Sequence, residues 1–565
     1  MKKIQLTRIV GVLLACLVVS CQLVRQDRPL STYRNGMVVS AHPEASAVGL
    51  QVLKNGGNAV DAAVAVQFAL AVVYPNAGNI GGGGFMVYRG ADGSIAALDF
   101  RETAPEAASS DMYLDAEGQP VTGLSLRGHL ASGVPGTVDG MIKAHEKYGK
   151  LPWESLLLPA IVLADNGFPI TERQASELND RKEELMRHNP TGTALVKAEA
   201  WRAGDTLVQR ELAHTLSLIS KHGRAGFYEG ETADRIVDEM RRGNGIISHA
   251  DLKSYTAKWR EPVTGTYRGN RIIAMPPPSS GGIALIALLK SVEAFPLSKW
   301  GFQADSTTRV MIEAERRVYA DRASHLGDPD HYPVPQTTLT DSAYNAARMQ
   351  TIDFGKASLS SSIYAGEVPA AEREETTHFS IVDQAGNAVA ITTTINGSYG
   401  SHVVVDGAGF LLNNEMDDFS IKPGVPNMFG LTGGTANAIA PGKRMLSSMT
   451  PTILEKEGKL FMVVGTPGGS TIITSVFQTL LNVVDFKMNI QEAVAAPRFH
   501  HQWLPDEVAM ERTAVGDSVR KSLVASKYNL VDRGSIGRVD AILVQPDGSL
   551  QGGADPRGDD TAMGY

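Results

Sequence analysis

Thr376 and Thr394 are the residues of this sequence best placed to do chemistry. Residues 376–396 read Thr-Thr-His-Phe-Ser-Ile-Val-Asp-Gln-Ala-Gly-Asn-Ala-Val-Ala-Ile-Thr-Thr-Thr-Ile-Asn. Two β-branched runs split by a Gln-Ala-Gly-Asn turn are a hairpin signal. Facing positions in a hairpin sum to a constant, so a turn centred near Ala385 sets Thr376 across from Thr394 at the open end, with the Asn396 carboxamide close by. A threonine hydroxyl keeps its proton at neutral pH and is a poor nucleophile. An N-terminal threonine carries its own base, because a free α-amine has a pKa of about 7.7–8.0. The β-methyl also stiffens χ1 and holds the hydroxyl in few orientations. Thr376 is internal as encoded, so this chemistry requires the Glu375–Thr376 bond to be cut first. An ordinary hairpin rich in threonine for its β propensity looks the same locally, and the rest of the chain has to decide.

Upstream, residues 37–41 read as a strand and 43–53 as a helix stopped by Asn55-Gly56-Gly57. Residues 58–73 form a helix apolar on most sides, which places it between layers. Asp61 in its first turn reads as a dipole-compatible cap. The run Gly81 to Gly84 lacks the Lys-Ser/Thr of a phosphate loop and reads as close backbone packing ahead of a strand at 85–88. A strand at 95–100 ends on Arg101 and Glu102, where the arginine is either a solvated charge or a fork for a carboxylate. Met-Pro-Pro-Pro-Ser-Ser-Gly-Gly, 275–282, is a rigid turn into an apolar helix, and 313–323 is a charged helix. Asp328-Pro-Asp330 lacks calcium-loop spacing, and His500 and His501 lack the i,i+4 spacing of a zinc pair, so neither metal nor cofactor is expected. Segment 358–371, rich in Ser, Ala and Pro, reads as a flexible lead to the cut.

Downstream lie three polar clusters. Asn-Asn-Glu-Met-Asp-Asp, with Glu415 and Asp418, ends a strand expected at 409–412. Ser447 and Ser448 lie ahead of another strand. Gly468 and Gly469 join a strand to a helix at 471–484, presenting backbone N–H groups where negative charge could develop.

The chain has 565 residues, 43% of them hydrophobic, with no linker or charge block dividing it. A net charge of −8 and a pI near 5.9 argue against nucleic acid and anionic membrane surfaces as partners. Lys2, Lys3 and Arg8 precede an apolar run at 9–19, too short to span a bilayer comfortably. It ends Val-Val-Ser-Cys, so 1–20 reads as a lipoprotein-type signal, Cys21 as the lipidated residue and 21–35 as a tether. A plain secretory signal is the alternative. Removal of Cys16 with the leader leaves Cys21 without an intrachain partner.

Together the Thr-Thr-His-Phe-Ser hairpin, Asn-Asn-Glu-Met-Asp-Asp-Phe-Ser, Leu-Ser-Ser-Met-Thr-Pro and Gly-Thr-Pro-Gly-Gly-Ser resemble γ-glutamyltransferases, as do the upstream Gly-Gly-Asn-Ala-Val-Asp-Ala-Ala, Asp-Phe-Arg-Glu and Met-Pro-Pro-Pro-Ser-Ser-Gly-Gly blocks. The resemblance implies an α/β fold, a four-layer αββα sandwich of the N-terminal-nucleophile hydrolase type. It implies a precursor that cuts itself into a large subunit, 36–375, and a small subunit, 376–565, which stay together as one intertwined heterodimer. It also implies that Thr376 forms an acyl-enzyme with the γ-glutamyl group of glutathione or related amides, passed to water or to an amino acid or dipeptide. Thr394 would orient Thr376, and the Gly468 and Gly469 amides would form the oxyanion hole. Arg101, Ser447 and Ser448 would take the substrate α-carboxylate, and Asn396, Glu415 and Asp418 its α-ammonium. The enzyme would be exported to the periplasm and meet a membrane only through lipid on Cys21. In the lid-like segment 423–444, Phe429 stands where relatives often have tyrosine, so a closing hydroxyl contact is lost. Two other functions remain open: an acylase of glutaryl or cephalosporin side chains, and a non-catalytic periplasmic lipoprotein that binds peptides.

Overall fold

The hairpin forms in the register that its turn dictates. Thr377–Val382 and Ala388–Thr394 pair antiparallel, from Ala388 opposite Val382 to Thr393 opposite Thr377. One further step along the same register sets Thr376 opposite Thr394. Asp383 makes the turn: one carboxylate oxygen accepts from the Ala385 and Asn387 amides, 2.9 Å each. Its other oxygen accepts from the amide of Ala59, 3.0 Å away, and so ties the turn to the start of a buried helix. Gly386, at φ 88°, takes the left-handed conformation that the turn requires.

The structure is a computed structural model that describes residues 30–121, 123–364, 376–422, 425–431 and 433–565. The leader expected at 1–20, Cys21, most of the tether, the later part of 358–371 and Glu375 lie outside these residues.

The hairpin sits at the centre of a seven-stranded sheet. In spatial order the strands are Thr561–Gly564, Met37–Ser40, Thr377–Val382, Ala388–Thr394, Gly83–Arg89, Ile95–Asp99 and Lys258–Arg260. A second sheet orders Leu550–Gly553, Asp540–Val544, Lys459–Gly465, Thr452–Lys456, Asn270–Ala274 and Val263–Tyr267. Side-chain alternation assigns the faces. Met37, Val39, Ala388 and Ala390 pack with Ile273, Ile453, Val463 and Ile542 of the second sheet. Val38, Phe379, Ile381, Val389 and Ile391 face the opposite way, into helices. Helices Gly281–Val292 and Thr471–Val484 cover the outer face of the second sheet. The architecture is therefore the expected αββα sandwich. Each sheet draws strands from both sides of position 376.

Helix Ala59–Val73 is buried along its whole length, as its lack of a polar face requires. Asn58 and Asp61 cap it reciprocally: Asn58 Oδ1 accepts from Asp61 N at 2.9 Å and Asp61 Oδ2 from Asn58 N at 2.9 Å. Asp61 is thus a cap and not a catalytic acid.

Three expectations are corrected. Tyr33 exchanges backbone hydrogen bonds with Leu550 at 3.0 and 2.7 Å, so the folded body reaches back into the expected tether. Residues 358–363 are pinned rather than flexible: Ser360 N donates to Asp506 at 2.7 Å, and the Trp503 indole donates to the Ser360 carbonyl at 3.0 Å. Residues 409–412 make only an isolated bridge between Leu411 and Val404, because positive φ at Gly407 and Gly409 folds the chain back too sharply for a ladder.

Candidate active site

The open end of the hairpin is held by groups remote in sequence. Asn79 Nδ2 donates to the Thr394 carbonyl at 2.9 Å and to Thr393 Oγ1 at 3.1 Å, while its oxygen accepts from Gly82 N and Thr137 Oγ1. Thr394 Oγ1 accepts from the amide of Asn396, 2.8 Å away. Asn396 takes φ 71°, a conformation asparagine tolerates better than most residues. The glycine run is indeed close packing: a Cβ on Gly82 would lie 2.1 Å from the Thr394 carbonyl oxygen. Gly82→Ala should therefore push Thr394 away and destabilise the fold by about 1–3 kcal/mol. Thermal unfolding checks this, and an unchanged melting temperature would contradict the close packing.

From Asn396 the site continues into an acidic turn. The Asn396 carboxamide donates to the Asn414 carbonyl at 2.9 Å, and Glu415–Asp418 follows as a buried 3-10 turn. Arg101, at the end of strand Ile95–Asp99, is fully buried and forks between Glu415 and Asp418, one guanidinium nitrogen to each. Its Nε donates to the Met445 carbonyl at 3.3 Å, which places Ser447 and Ser448 at the same centre. Ser448 Oγ accepts from Arg322 at 2.9 Å, and that guanidinium also donates to Ser280 Oγ at 2.9 Å. Ser447 Oγ accepts from the amide of Met449 at 3.2 Å. The structure thus brings Arg101, Asn396, Glu415, Asp418, Ser447 and Ser448 together. It does not keep the cation and the acids in separate pockets: Arg101 and the two carboxylates satisfy one another.

The centre is rich in acid. Burial pushes the Asp418 carboxyl upward against the opposing pull of Arg101. Burial raises Asp417 to about 6, although Ser125 and the Met428 amide donate to it. Glu102 lies 3.6 Å from Arg101, and neither of its oxygens has a hydrogen-bond partner among the described residues. Burial first, with Arg101 opposing, pushes it up to about 7. A folded-state pKa above the ordinary carboxylate value stabilises the fold fully below about pH 4.5. That stabilisation disappears as the pH rises through about 7. Glu102→Gln should remove this slope, so that wild type loses up to a few kcal/mol relative to the variant between pH 4.5 and 8. Urea titrations across that range measure it, and parallel profiles for the two proteins would contradict it.

Gly468 and Gly469 link strand Lys459–Gly465 to helix Thr471–Val484 with φ of 130° and 59°. Neither amide has an acceptor among the described residues. Thr376, 4% exposed, and Gly468 line one cavity of about 160 Å³. The lid-like segment closes over the acids through Asn427, whose amide reaches Asp418 at 3.2 Å, and through the Met428 N–H to Asp417 at 2.8 Å. Phe429 is fully buried, and Gln502 donates to its carbonyl at 3.3 Å. Amides and backbone therefore hold the segment without a phenol.

Asn79, Glu102, Asp417 and Arg322 were given no part in the chemistry by the sequence. Arg322 had a signal: helix Asp305–His325 carries charge on every face yet is buried along most of its length, so its charges need partners inside the protein. His500 and His501 are buried and hydrogen-bonded, to Thr474 at 2.9 Å and to the Trp503 amide at 2.9 Å, and burial lowers them to about 3 and about 4.

The family model described as Gamma-glutamyltranspeptidase matches residues 45–565. A glutathione hydrolase proenzyme of Escherichia coli strain K12 is 47% identical over 535 residues, covering 94% of this chain and 92% of its own. Two solved structures resemble the fold. The cephalosporin acylase of Bacillus halodurans gives a TM-score of 0.84 at 26% identity, over 96% of this chain and 98% of its own. The γ-glutamyltranspeptidase of Helicobacter pylori gives 0.59 at 45% identity, over 60% of this chain and 97% of its own.

Proposed function

The chain belongs to the gamma-glutamyltranspeptidase family, and from that premise we propose a self-cleaving γ-glutamyltransferase and glutathione hydrolase with Thr376 as nucleophile. In the uncut chain the Thr376 nitrogen is an amide and cannot act as a base. Attack of Thr376 Oγ1 on the Glu375 carbonyl breaks the Glu375–Thr376 amide and forms an ester. Water then hydrolyses the ester, releasing the Glu375 carboxylate and leaving Thr376 with a free amine. That amine takes the hydroxyl proton as Oγ1 attacks the γ-carbonyl of a γ-glutamyl amide, and returns it to the departing amine. Thr394 orients the nucleophile, and the Gly468 and Gly469 amides meet the oxyanion. Chains 36–375 and 376–565 remain associated because both sheets interleave their strands. The relative from Escherichia coli is named a proenzyme, and the Helicobacter pylori chain spans a share of this one close to that lying before Thr376.

The observation that carries the substrate class is Arg101 forked between Glu415 and Asp418. A glutamyl head is a zwitterion, so its carboxylate can replace the acids on Arg101 and its ammonium can replace Arg101 on the acids. No net charge is buried by the exchange. Ser447 and Ser448 complete the carboxylate side and Asn396 the ammonium side. A glutaryl group brings only the carboxylate and strands an acid without its cation, which disfavours the acylase reading despite the fold shared with the cephalosporin acylase. Side-by-side assays of γ-glutamyl and glutaryl anilides decide between them, and faster turnover of the glutaryl compound would overturn the assignment. A peptide-binding protein without catalysis would instead run as one unbroken chain on a denaturing gel. The leader at 1–20 exports the enzyme to the periplasm, and Cys21 carries lipid to the outer membrane. Among the described residues no helix is long and apolar enough to cross a membrane. Intact mass of the isolated protein reports both the fragment starting at Thr376 and any lipid on Cys21.

A further inference from the structure

Two buried acids near the nucleophile have no part in the chemistry described so far. Asp540 opens strand Asp540–Val544, pairs with Gly465 of strand Lys459–Gly465 and is fully buried. Asp560 precedes the last strand, Thr561–Gly564, and its carboxyl is equally inaccessible. None of the four oxygens has a hydrogen-bond partner among the described residues. The two carboxyls nonetheless lie close enough for one to hydrogen-bond the other. Two carboxylates can only accept, so the contact becomes a bond once one of them carries a proton.

The surrounding charges ask for the same proton. Asp555 accepts from Arg498 at 2.7 Å and from Arg557 at 2.9 Å, and Arg557 also holds Glu511 at 2.6 and 2.7 Å. Arg538 lies 3.6 Å from Asp560. Four acids, Glu511, Asp540, Asp555 and Asp560, thus meet the three guanidiniums of Arg498, Arg538 and Arg557. Arg173 acts on Asp560 from the rim but lies 3.7 Å from an acid of its own, Glu177. His378, packed against Gly465, is neutral, since burial lowers it to about 3. Burial, against the pull of Arg538, raises Asp560 to about 6. Burial and then Asp560 push Asp540 well above the ordinary carboxylate range.

The pair adjoins the loop that carries the Gly468 and Gly469 amides. Arg538 N donates to Thr466 Oγ1 at 2.8 Å, and a Cβ on Gly468 would lie 3.2 Å from Gly537 Cα. A Cβ on Gly558 would lie 2.0 Å from Asp560 Oδ2 and 2.8 Å from Arg538 Cδ, so the C-terminal segment packs without slack against both. Arg538, with Arg173, Arg533 and Arg557, lines the cavity that Thr376 shares with Gly468. Resting on Thr376 as nucleophile and the glycine amides as oxyanion donors, we propose that Asp540 and Asp560 hold one proton between them and act as positioning residues for Arg538 and segment 466–469. At alkaline pH that proton leaves to solvent. Two adjacent buried anions then repel, the loop shifts and turnover falls.

The experiment follows hydrolysis of saturating γ-glutamyl-p-nitroanilide by the mature protein from about pH 6 to about 10. Wild-type kcat should rise as the Thr376 amine loses its proton, then fall about 10-fold on the alkaline side as the loop is displaced. Asp540→Asn keeps the shape of the protonated acid and cannot ionise, so it should hold kcat at neutral pH within about 3-fold and lose the alkaline fall. Asp560→Asn leaves a single acid and should lose the fall too. The double variant removes both charges and should cost about 10-fold at every pH, more than the single changes combined. Infrared difference spectra of wild type and Asp540→Asn at neutral pH should show the loss of one protonated-carboxyl band, a readout that needs no activity. An unchanged band, an alkaline fall that survives in both single variants, or an Asp540→Asn chain that does not fold would overturn the proposal and leave Thr376 as nucleophile untouched. Absence of nitroaniline release by wild type at any pH would instead defeat the nucleophile assignment, and the positioning role with it.

Discussion

Thr376→Ala should yield a single uncut polypeptide that releases no nitroaniline from γ-glutamyl-p-nitroanilide, a loss on the order of 10⁶ in kcat. One hydroxyl is asked to do two jobs: it severs the backbone ahead of itself, and it attacks the substrate. Removing it abolishes the cut, and without the cut no α-amine exists to act as base. The side chain is small and sits at the open end of the hairpin, outside the ladder that runs from Thr377 to Val382. The variant should therefore keep its fold and melt within a few degrees of wild type. Thr376→Ser keeps a hydroxyl without the β-methyl that restricts χ1, and should cut and turn over more slowly. Mass spectrometry of the two variants separates loss of the nucleophile from loss of the fold. Detectable turnover by the uncut alanine variant would refute the assignment.

Asp418→Ala should process normally and then bind substrate poorly. Asp418 holds one nitrogen of Arg101, accepts from Asn427 of the covering segment at 3.2 Å and is 7% exposed. Truncating one partner of a buried charge pair costs about 2–5 kcal/mol, so kcat/KM for the γ-glutamyl anilide should fall roughly 30- to 5000-fold. Most of the change should appear in KM. The more telling readout is a ratio. Without Asp418 only Glu415 still calls for an ammonium, so the advantage of γ-glutamyl over glutaryl anilide should shrink. A variant that is weakened equally towards both substrates would show Asp418 to be structural only.

Much of this organisation was legible in the chain itself. The pairing of Thr376 with Thr394 needs only a turn centre and an even side-chain period, both local properties. The buried helix Ala59–Val73 announced itself through the absence of a polar face. The glycine run was readable as close packing because it lacked every feature of a phosphate loop. Residues 358–363 were misread because Ser, Ala and Pro suit flexible chain and pinned chain alike, and what holds Ser360 is Asp506, far away in sequence.

What the sequence by itself determined is the hairpin, its threonines, the order of the strands and helices around them, and the motifs that mark the family. These follow from local propensity and periodicity, which neighbouring residues carry with them. Only the tertiary structure decided that Arg101 would fork between Glu415 and Asp418, that Arg322 would reach Ser448, and that an arginine-lined cavity would open beside Thr376. Contacts between residues hundreds of positions apart leave no period in the sequence, and a charge that will be buried and paired is written with the same letter as one that will face water.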